Sequence, residues 1–251
     1  GLPLTIKGSE NPLPINYFEN KGSAQVKSSI ILAGLKTTGK TFIKCKPSRD
    51  HTERLCKYLK LPLKVKKKNN YDLIEVEKVK KIKPLNYKIP SDISSAAFFI
   101  VLTALSNNSK LLIENVNINP SRIGIITILK KMGVNIQFKN KKNYKGELIA
   151  DILILSTKKL KAINCPPKLN SGAIDEFLII FLVAAKASGV SYFKDIGELN
   201  QKESPRLKWS AKILNKMGIK TITTDSSIKI FGNPNLKINK KIVIKDYLKD
   251  H

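Results

Sequence analysis

The sequence predicts a layered α/β fold made of a repeated unit. The same order of patterns (helix, strand, helix, strand) occurs three times, beginning near Gly22, Ser91 and Gly172. In each unit the second helix has an apolar stripe along one face, which is typical of a helix that packs on a sheet. Matched units that recur along a chain indicate a repeat architecture.

The first unit, 22–65, shows the pattern most clearly. Small polar residues precede an apolar segment, 26–35, which is long enough for a buried helix. A strand pattern at 41–45 follows, and a polar cap with Ser48 and Arg49 comes before an amphipathic helix. A second strand closes the unit.

Each second helix has an arginine at its predicted start, and a helix breaker follows at a matching distance. The arginines are Arg49, Arg122 and Arg206, and the breakers are Pro62, Gly133 and Gly218. The remaining predicted elements are short strands at 4–7 and 13–17, strands at 72–76 and 151–156, a polar loop at 139–145 and a hairpin at 222–231.

Two of these helices have predicted caps. Asp50 and Glu53 have the spacing of a capping box. Ser204 followed by Pro205 is typical of an N-cap and a first helical residue.

The composition indicates a globular chain without a metal. It has 251 residues, of which 42% are hydrophobic and 26% charged, and no apolar run approaches a membrane span. Two histidines, and three cysteines at Cys45, Cys56 and Cys165 without a CxxC spacing, favour neither a metal site nor a disulfide framework. A reduced, cytoplasmic setting fits this cysteine usage best.

The net charge of +27 has two interpretations. It is typical of a nucleic-acid-binding protein, or it reflects lysine used wherever the surface tolerates it. Because the lysines are scattered through every segment and no aromatic residues interleave with a basic stripe, we favour the second interpretation. A positive field favours small anionic substrates in either case.

The segment Gly34–Thr41 matches the phosphate-loop pattern G-x-x-x-x-G-K-[ST]. A phosphate loop follows a strand and opens a helix, because the helix N-terminus holds the phosphates. Here a helix pattern precedes the match and a strand pattern follows it. We therefore predict a helix-to-strand turn that binds no nucleotide.

Charged residues gather at the helix starts of the third unit. Its first helix is predicted to start with Asp175 and Glu176, and Lys202 and Glu203 precede Arg206 at its second. Acidic residues at a helix start are also good caps, so capping alone could explain them. A lysine, a carboxylate and an arginine at one helix start could serve both anion binding and proton transfer.

These segments resemble the 5-enolpyruvylshikimate-3-phosphate (EPSP) synthase family, the 3-phosphoshikimate 1-carboxyvinyltransferases. The resemblance runs in the family's order over nearly the whole chain. The matching segments are LPLTIKG (2–8), GSAQVKSSIILAGL (22–35), SRDHTER (48–54), PSDISSAAFFI (90–100), NPSRIGI (119–125), MGVNI (132–136), GELIADI (146–152), IDEF (174–177) and KESPRL (202–207).

The resemblance implies two domains of repeated βαβαββ units, in the inside-out barrel of the enolpyruvyl transferases, with the active site in the cleft between them. Residues 1–87 would complete one domain, and 88–251 would form most of the other. The implied enzyme is a cytoplasmic monomer of the shikimate pathway of aromatic amino-acid biosynthesis. It moves the enolpyruvyl group of phosphoenolpyruvate to the 5-hydroxyl of shikimate 3-phosphate, without cofactor, metal, nucleic acid or membrane.

The resemblance also implies how the first unit binds substrate. Ser23, Ala24 and Gln25 would form the shikimate 3-phosphate loop, and Gln25 would also reach phosphoenolpyruvate. Ser48 and Arg49 would hold the phosphate of shikimate 3-phosphate.

Catalytic roles fall on the third unit by the same resemblance. Asp175 would accept the proton of the 5-hydroxyl, and Lys202 would bind the same substrate. Glu203 would exchange a proton with the methylene carbon of phosphoenolpyruvate, and Arg206 would bind the phosphoenolpyruvate anion.

The sequence departs from the family at several points. Pro205, Asn200 and Ser91 replace residues that are usually Asp, Arg and Gly. Earlier substrate-binding motifs are absent, and Asp250-His251 resembles the start of an Asp-His-Arg motif. The sequence therefore predicts an internal piece of the enzyme that is inactive alone.

Two alternatives remain open. One is the sister enzyme, UDP-N-acetylglucosamine 1-carboxyvinyltransferase, although SRDHTER and KESPRL fit the shikimate enzyme better. The other is a basic nucleic-acid-binding protein on the same fold.

Overall fold

A computed structural model describes residues 3–238, 241–244 and 250 of the chain. The chain divides into two compact units, unit 1 with residues 1–88 and 143–147, and unit 2 with residues 89–142 and 148–251. The domain limits 1–87 and 88–251 concern the complete protein and stay a prediction. The described helices include none long and apolar enough to cross a membrane.

Unit 1 contains the first repeat. Its sheet has the order β1-β2-β4-β3, in which β1 is parallel to β2 and the other pairs are antiparallel. Alternate β2 residues face the two sides of the sheet, so Ile43 is buried while Phe42 is exposed. The elements are β1 (Asn16–Glu19), α1 (Ala24–Gly34), β2 (Lys40–Cys45), α2 (His51–Tyr58), β3 (Leu63–Lys67) and β4 (Asp72–Glu77).

The second and third repeats follow in the same order. The second has α3 (Ile93–Leu105), β5 (Lys110–Asn117), α4 (Gly124–Lys131), β6 (Asn135–Tyr144) and β7 (Glu147–Leu155). The third has α5 (Phe177–Lys186), β8 (Gly189–Phe193), α6 (Arg206–Lys216), β9 (Thr221–Thr223) and β10 (Ile228–Gly232), with short 3-10 helices at Pro167–Leu169 and Gly197–Gln201.

The three repeats share one topology. The sheets of the later repeats have the orders β5-β7-β6 and β8-β10-β9, which match β2-β4-β3 of the first. Isolated parallel bridges, Ser91 to Val116 and Lys161 to Ser188, lie where β1 pairs with β2 in the first repeat. The predicted α/β fold of repeated βαβαββ units is confirmed.

Unit 2 has the larger core. Helix α5 is apolar on almost every side and packs against α3, α4, α6 and β10. The fully buried rings of Phe177 and Phe181 on α5 and of Phe193 on β8 contact one another within this core, with centroids 5.1 to 5.9 Å apart. Such contacts stabilise the core beyond the area that they bury.

The three cysteines are free and buried. Burial raises the pKa of the Cys45 and Cys165 thiols to about 11 and also raises the pKa of Cys56. A thiol with so high a pKa holds little thiolate near neutral pH, and thiolate is the reactive form. These cysteines therefore act as small core residues.

The second helix of each repeat ends in the same C-terminal turn. The residue after the cap has a positive φ, and it is Lys60 (55°), Gly133 (94°) or Gly218 (85°). In α2 the amide N–H groups of Lys60 and Leu61 donate to the carbonyls of Lys57 and Cys56, which is a Schellman motif. The prediction that Pro62 matches the two glycines is wrong, because the left-handed position falls on Lys60.

Lys60→Gly is expected to raise the free energy of unfolding by about 1 kcal/mol, because an L-residue in the left-handed region is strained and glycine is not. Lys60 is exposed, so little packing is lost. Urea unfolding measures the change. The matched control is Gly218→Ala, whose new Cβ meets nothing within 4 Å and which should lose about as much. A Lys60→Gly protein that is no more stable would contradict the argument.

Several local predictions are wrong. Residues 4–7 form no strand, because in the described sheet β1 is the edge strand and pairs only with β2. The lysine-rich stretch 139–145 is mostly strand β6, because it pairs with β7 around a turn in which Lys145 and Gly146 both have positive φ.

Both predicted caps also differ. Asp50 is the N-cap of α2 but makes no capping hydrogen bond, because its carboxylate accepts instead from Arg54 Nε (2.8 Å). Pro205 is the N-cap of α6, and Arg206 is its first residue. The Ser204 hydroxyl donates to Asp250 Oδ2 (2.6 Å) and is not a cap.

Candidate active site

The start of α1 is held by a buried carboxylate. Glu19 accepts hydrogen bonds from the backbone N–H groups of Lys21 (2.9 Å) and Gly22 (2.7 Å), which fixes the loop ahead of the helix. Ser23 is the N-cap, and its Oγ accepts from the Val26 N–H at 3.3 Å. Ala24 and Gln25 follow in the first turn, where backbone N–H groups lack partners within the helix.

The segment before α2 lies beside this loop. A Cβ atom on Gly22 would lie 3.9 Å from the carbonyl oxygen of Pro47. Ser48 Oγ is buried and has no hydrogen-bond partner among the described residues. Arg49 follows it, and its carbonyl accepts from Lys27 Nζ at 2.9 Å. The structure therefore brings the five predicted binding residues of unit 1 together at two helix starts.

Unit 2 brings together the other four predicted residues, Asp175, Lys202, Glu203 and Arg206. This arginine is only 6% exposed. Its Nε and Nη2 donate to the two carboxylate oxygens of Asp250, both at 3.0 Å, and Nη2 also donates to Glu203 at 2.8 Å. The hydrogen bond to Asp250 is the main cause that raises the pKa of Arg206, so the guanidinium stays charged.

Asp175 lies close to two positively charged side chains, those of Lys202 and Arg206. Its Oδ1 is 3.7 Å from Lys202 Nζ and 3.8 Å from Arg206 Nη1. Lys202 also contacts Glu198 at 3.0 Å. The Asp175 carboxylate is thus paired with two positive side chains at the start of α5.

The backbone ahead of Asp175 is closely packed against α4. The N–H of Gly124, the first residue of α4, donates to the Gly172 carbonyl at 2.9 Å. A Cβ on Gly124 would lie 2.6 Å from the carbonyl carbon of Gly172, so only glycine fits there. This contact fixes the turn that leads into α5 and so helps to position Asp175.

Arg122, the matching arginine of the second repeat, belongs to a different network. Its Nη2 donates to Ser94, whose hydroxyl donates to the buried carboxylate of Glu176, the N-cap of α5. It also lies 3.3 Å from Asp92, the N-cap of α3. Arg122 thus connects the start of α3 to the start of α5 within unit 2.

The sequence interpretation missed one member of the unit 2 cluster. Asp250 binds Arg206 and Ser204, which lie 44 and 46 residues before it in the chain. Its resemblance to the start of an Asp-His-Arg motif was the available signal, and His251 lies outside the described residues. In the described part of the chain, no group of three or more His, Cys, Asp or Glu side chains could hold a metal ion.

The phosphate-loop match is a turn between α1 and β2. Helix α1 ends at Gly34, the first residue of the match, and strand β2 begins at Lys40, within the last two residues of the match. Lys40 Nζ contacts Glu75 at 2.7 Å and Glu77 at 3.2 Å, on the sheet. No helix N-terminus follows the glycines, as the sequence predicted.

The family model for EPSP synthase (3-phosphoshikimate 1-carboxyvinyltransferase) matches residues 1–246. The chain belongs to the EPSP synthase family. A 3-phosphoshikimate 1-carboxyvinyltransferase of Ruthia magnifica is 44% identical over 92% of this chain and 52% of its own length. One of Caldicellulosiruptor bescii is 39% identical over 100% of this chain and 57% of its own length. The chain thus spans about half the length of the curated relatives that it matches.

Solved structures agree with this family. An EPSP synthase of Acinetobacter baumannii aligns with a TM-score of 0.80 and 40% identity, over 88% of this chain and 49% of that one. The enolpyruvyl transferase NikO of Streptomyces tendae aligns with a TM-score of 0.59 over 88% of this chain and 52% of its own. Its 12% identity supports the shared fold alone.

Proposed function

We propose that this chain carries residues of a 3-phosphoshikimate 1-carboxyvinyltransferase. The observation behind the proposal is the cluster of Asp175, Lys202, Glu203 and Arg206, which match the family's motifs and lie together at the starts of α5 and α6. The substrates are the two small anions shikimate 3-phosphate and phosphoenolpyruvate. The enzyme is proposed to act as a monomer in the cytoplasm without nucleic acid. The three buried free cysteines support the cytoplasmic setting.

Unit 1 is proposed to bind shikimate 3-phosphate. Free N–H groups at the α1 start, at Ala24 and Gln25, suit an anion. The hydroxyls of Ser23 and Ser48 and the guanidinium of Arg49 add donors of the kind that bind phosphate. Gln25 is exposed and could also reach phosphoenolpyruvate.

The proposed reaction is an addition followed by an elimination. The 5-hydroxyl oxygen bonds to C2 of phosphoenolpyruvate while Asp175 takes the hydroxyl proton and Glu203 supplies a proton to the methylene carbon. The tetrahedral intermediate then loses phosphate as a proton leaves the new methyl group to Glu203. Lys202 holds shikimate 3-phosphate beside Asp175.

Arg206 is proposed to bind the phosphoenolpyruvate anion. In the structure its Nη2 is shared by Asp250 and Glu203, and the Glu203 side chain is 53% exposed. An incoming anion can therefore replace Glu203 on Nη2 while Asp250 still holds the guanidinium. Displacement would free Glu203 for proton transfer.

The test uses a chimeric enzyme, in which this chain replaces the matching segment of the Ruthia magnifica relative. Phosphate release is expected only when shikimate 3-phosphate and phosphoenolpyruvate are both present, with the carboxyvinyl product formed in equal amount. The 251-residue chain alone is expected to release none. No turnover by a folded chimeric enzyme, with thermal protection by RNA instead of shikimate 3-phosphate, would contradict the proposal.

Lys40→Ala in the chimeric enzyme is expected to leave kcat and both KM values within a factor of about two. Lys40 is half exposed, and its ammonium contacts the carboxylates of Glu75 and Glu77 on the neighbouring strand. Steady-state phosphate release measures the effect. A hundredfold loss of turnover would mean that the loop does bind phosphate.

A further inference from the structure

Lys27, in the second turn of α1, is completely buried, with 0% of its surface exposed. Lysine is almost never fully buried unless it is paired. Its ammonium lies 2.6 Å from Glu53 Oε1 on α2 and donates to the Arg49 carbonyl at 2.9 Å. One side chain thus joins α1 both to α2 and to the segment ahead of α2.

This ion pair is a poor source of stability. Burying two charges carries a large desolvation cost, and apolar residues of similar volume often replace a buried pair without loss. The second carboxylate oxygen of Glu53, Oε2, is buried and has no partner among the described residues. An apolar pair would fill the same space, but it could not donate a hydrogen bond to the Arg49 carbonyl.

The contacts of Lys27 link the two parts of the proposed phosphate site. Its own N–H donates to the Ser23 carbonyl at 3.1 Å, so Lys27 is fixed one turn from the α1 cap. Its ammonium holds Arg49, which directly follows Ser48. A second contact, between the hydroxyls of Ser28 and Thr52 at 2.7 Å, supports the same junction of α1 with α2.

We propose that Lys27 and Glu53 are positioning residues for the phosphate of shikimate 3-phosphate. The ammonium fixes the backbone of Arg49, and Glu53 holds the ammonium in place. Ser48 and Arg49 are thereby kept at a set distance from Ser23. The proposal rests on the proposed function, since it assumes that these residues bind that substrate.

The first experiment uses the double variant Lys27→Met/Glu53→Leu in the chimeric enzyme. It removes both charges and keeps similar volume, so its Tm is expected to stay near that of the parent. The KM for shikimate 3-phosphate is expected to rise at least about tenfold, because a misplaced Arg49 would lose a charged hydrogen bond to the phosphate and such a loss can cost that much. The KM for phosphoenolpyruvate should stay within about twofold.

The matched control is Lys40→Met/Glu75→Leu, which removes a partly exposed ion pair from the same unit. Its KM values should not change. If the first double variant retains its Tm and has an unchanged KM for shikimate 3-phosphate, the pair is only structural and the proposal is overturned.

A second variant covers the case in which the double variant does not fold. Glu53→Gln keeps the shape and one acceptor oxygen, but it leaves the ammonium without its counter-charge. The KM for shikimate 3-phosphate is then expected to rise at least about threefold with the KM for phosphoenolpyruvate unchanged, and an unchanged KM for both would overturn the proposal. If the proposed function itself is wrong, the parent chimeric enzyme will show no turnover. That result differs from an unchanged KM in the variants, which would contradict only the positioning role.

Discussion

Asp175→Asn in the chimeric enzyme is expected to lower kcat at least about a hundredfold, because proton transfer by a positioned group contributes that much or more. Asparagine keeps the shape and one hydrogen-bonding oxygen but is a very weak base. Asp175 precedes the N-cap Glu176 and is outside α5, so capping gives no reason for a large loss of stability. Steady-state kinetics and a Tm measurement separate the two effects.

The control for this change is Asp195→Asn. Asp195 is exposed in unit 2 and has a φ of 58°, a conformation that asparagine also tolerates. Asp195→Asn makes the same chemical change at a residue outside the cluster of Asp175, Lys202, Glu203 and Arg206, and it should leave kcat unaltered. If Asp175→Asn has a normal kcat and a lowered Tm, Asp175 is structural and another group accepts the proton.

Glu203→Gln is expected to lower kcat by a similar factor, at least about a hundredfold, and to slow hydrogen exchange at the methylene carbon of phosphoenolpyruvate. The exchange is the more specific readout, because only the group that delivers and removes that proton controls it. Glutamine can still accept the Arg206 hydrogen bond, so Arg206 should remain in place. Mass spectrometry of phosphoenolpyruvate recovered from deuterated water measures the exchange.

Glu114→Gln is the control for Glu203→Gln, since Glu114 is exposed on β5 in the same unit. An exchange rate that is unchanged in Glu203→Gln while kcat falls would assign the methylene proton to another residue. Glu203 would then serve only as a partner of Arg206.

The repeats could be predicted from the sequence because their signals are local. The residue pattern of an apolar helix or of an alternating strand can be recognised within about ten residues. The order of helix and strand patterns occurs three times in this sequence. Stretch 139–145 was predicted as a loop because its lysines have low strand propensity. The stretch is a strand because it pairs with β7, and strand pairing cannot be predicted from the residues of one segment alone.

The candidate site was predictable to a smaller extent. Motifs identified Asp175, Lys202, Glu203 and Arg206, and the structure places them together. The part played by Asp250 depends on a contact between distant points of the chain. Lys27 was overlooked because a lysine in an apolar helix looks like a surface residue until the fold shows what surrounds it.

Unit 1 is discontinuous in the chain, and this affects the order in which it can fold. Residues 143–147 belong to it, and Glu147 Oε1 lies 2.6 Å from His51 Nδ1 on α2. The Tyr144 ring packs on Tyr87 with centroids 5.3 Å apart. A ribosome delivers these groups only after residues 89–142 have been made. Unit 1 therefore reaches its final structure only when part of the second repeat has emerged.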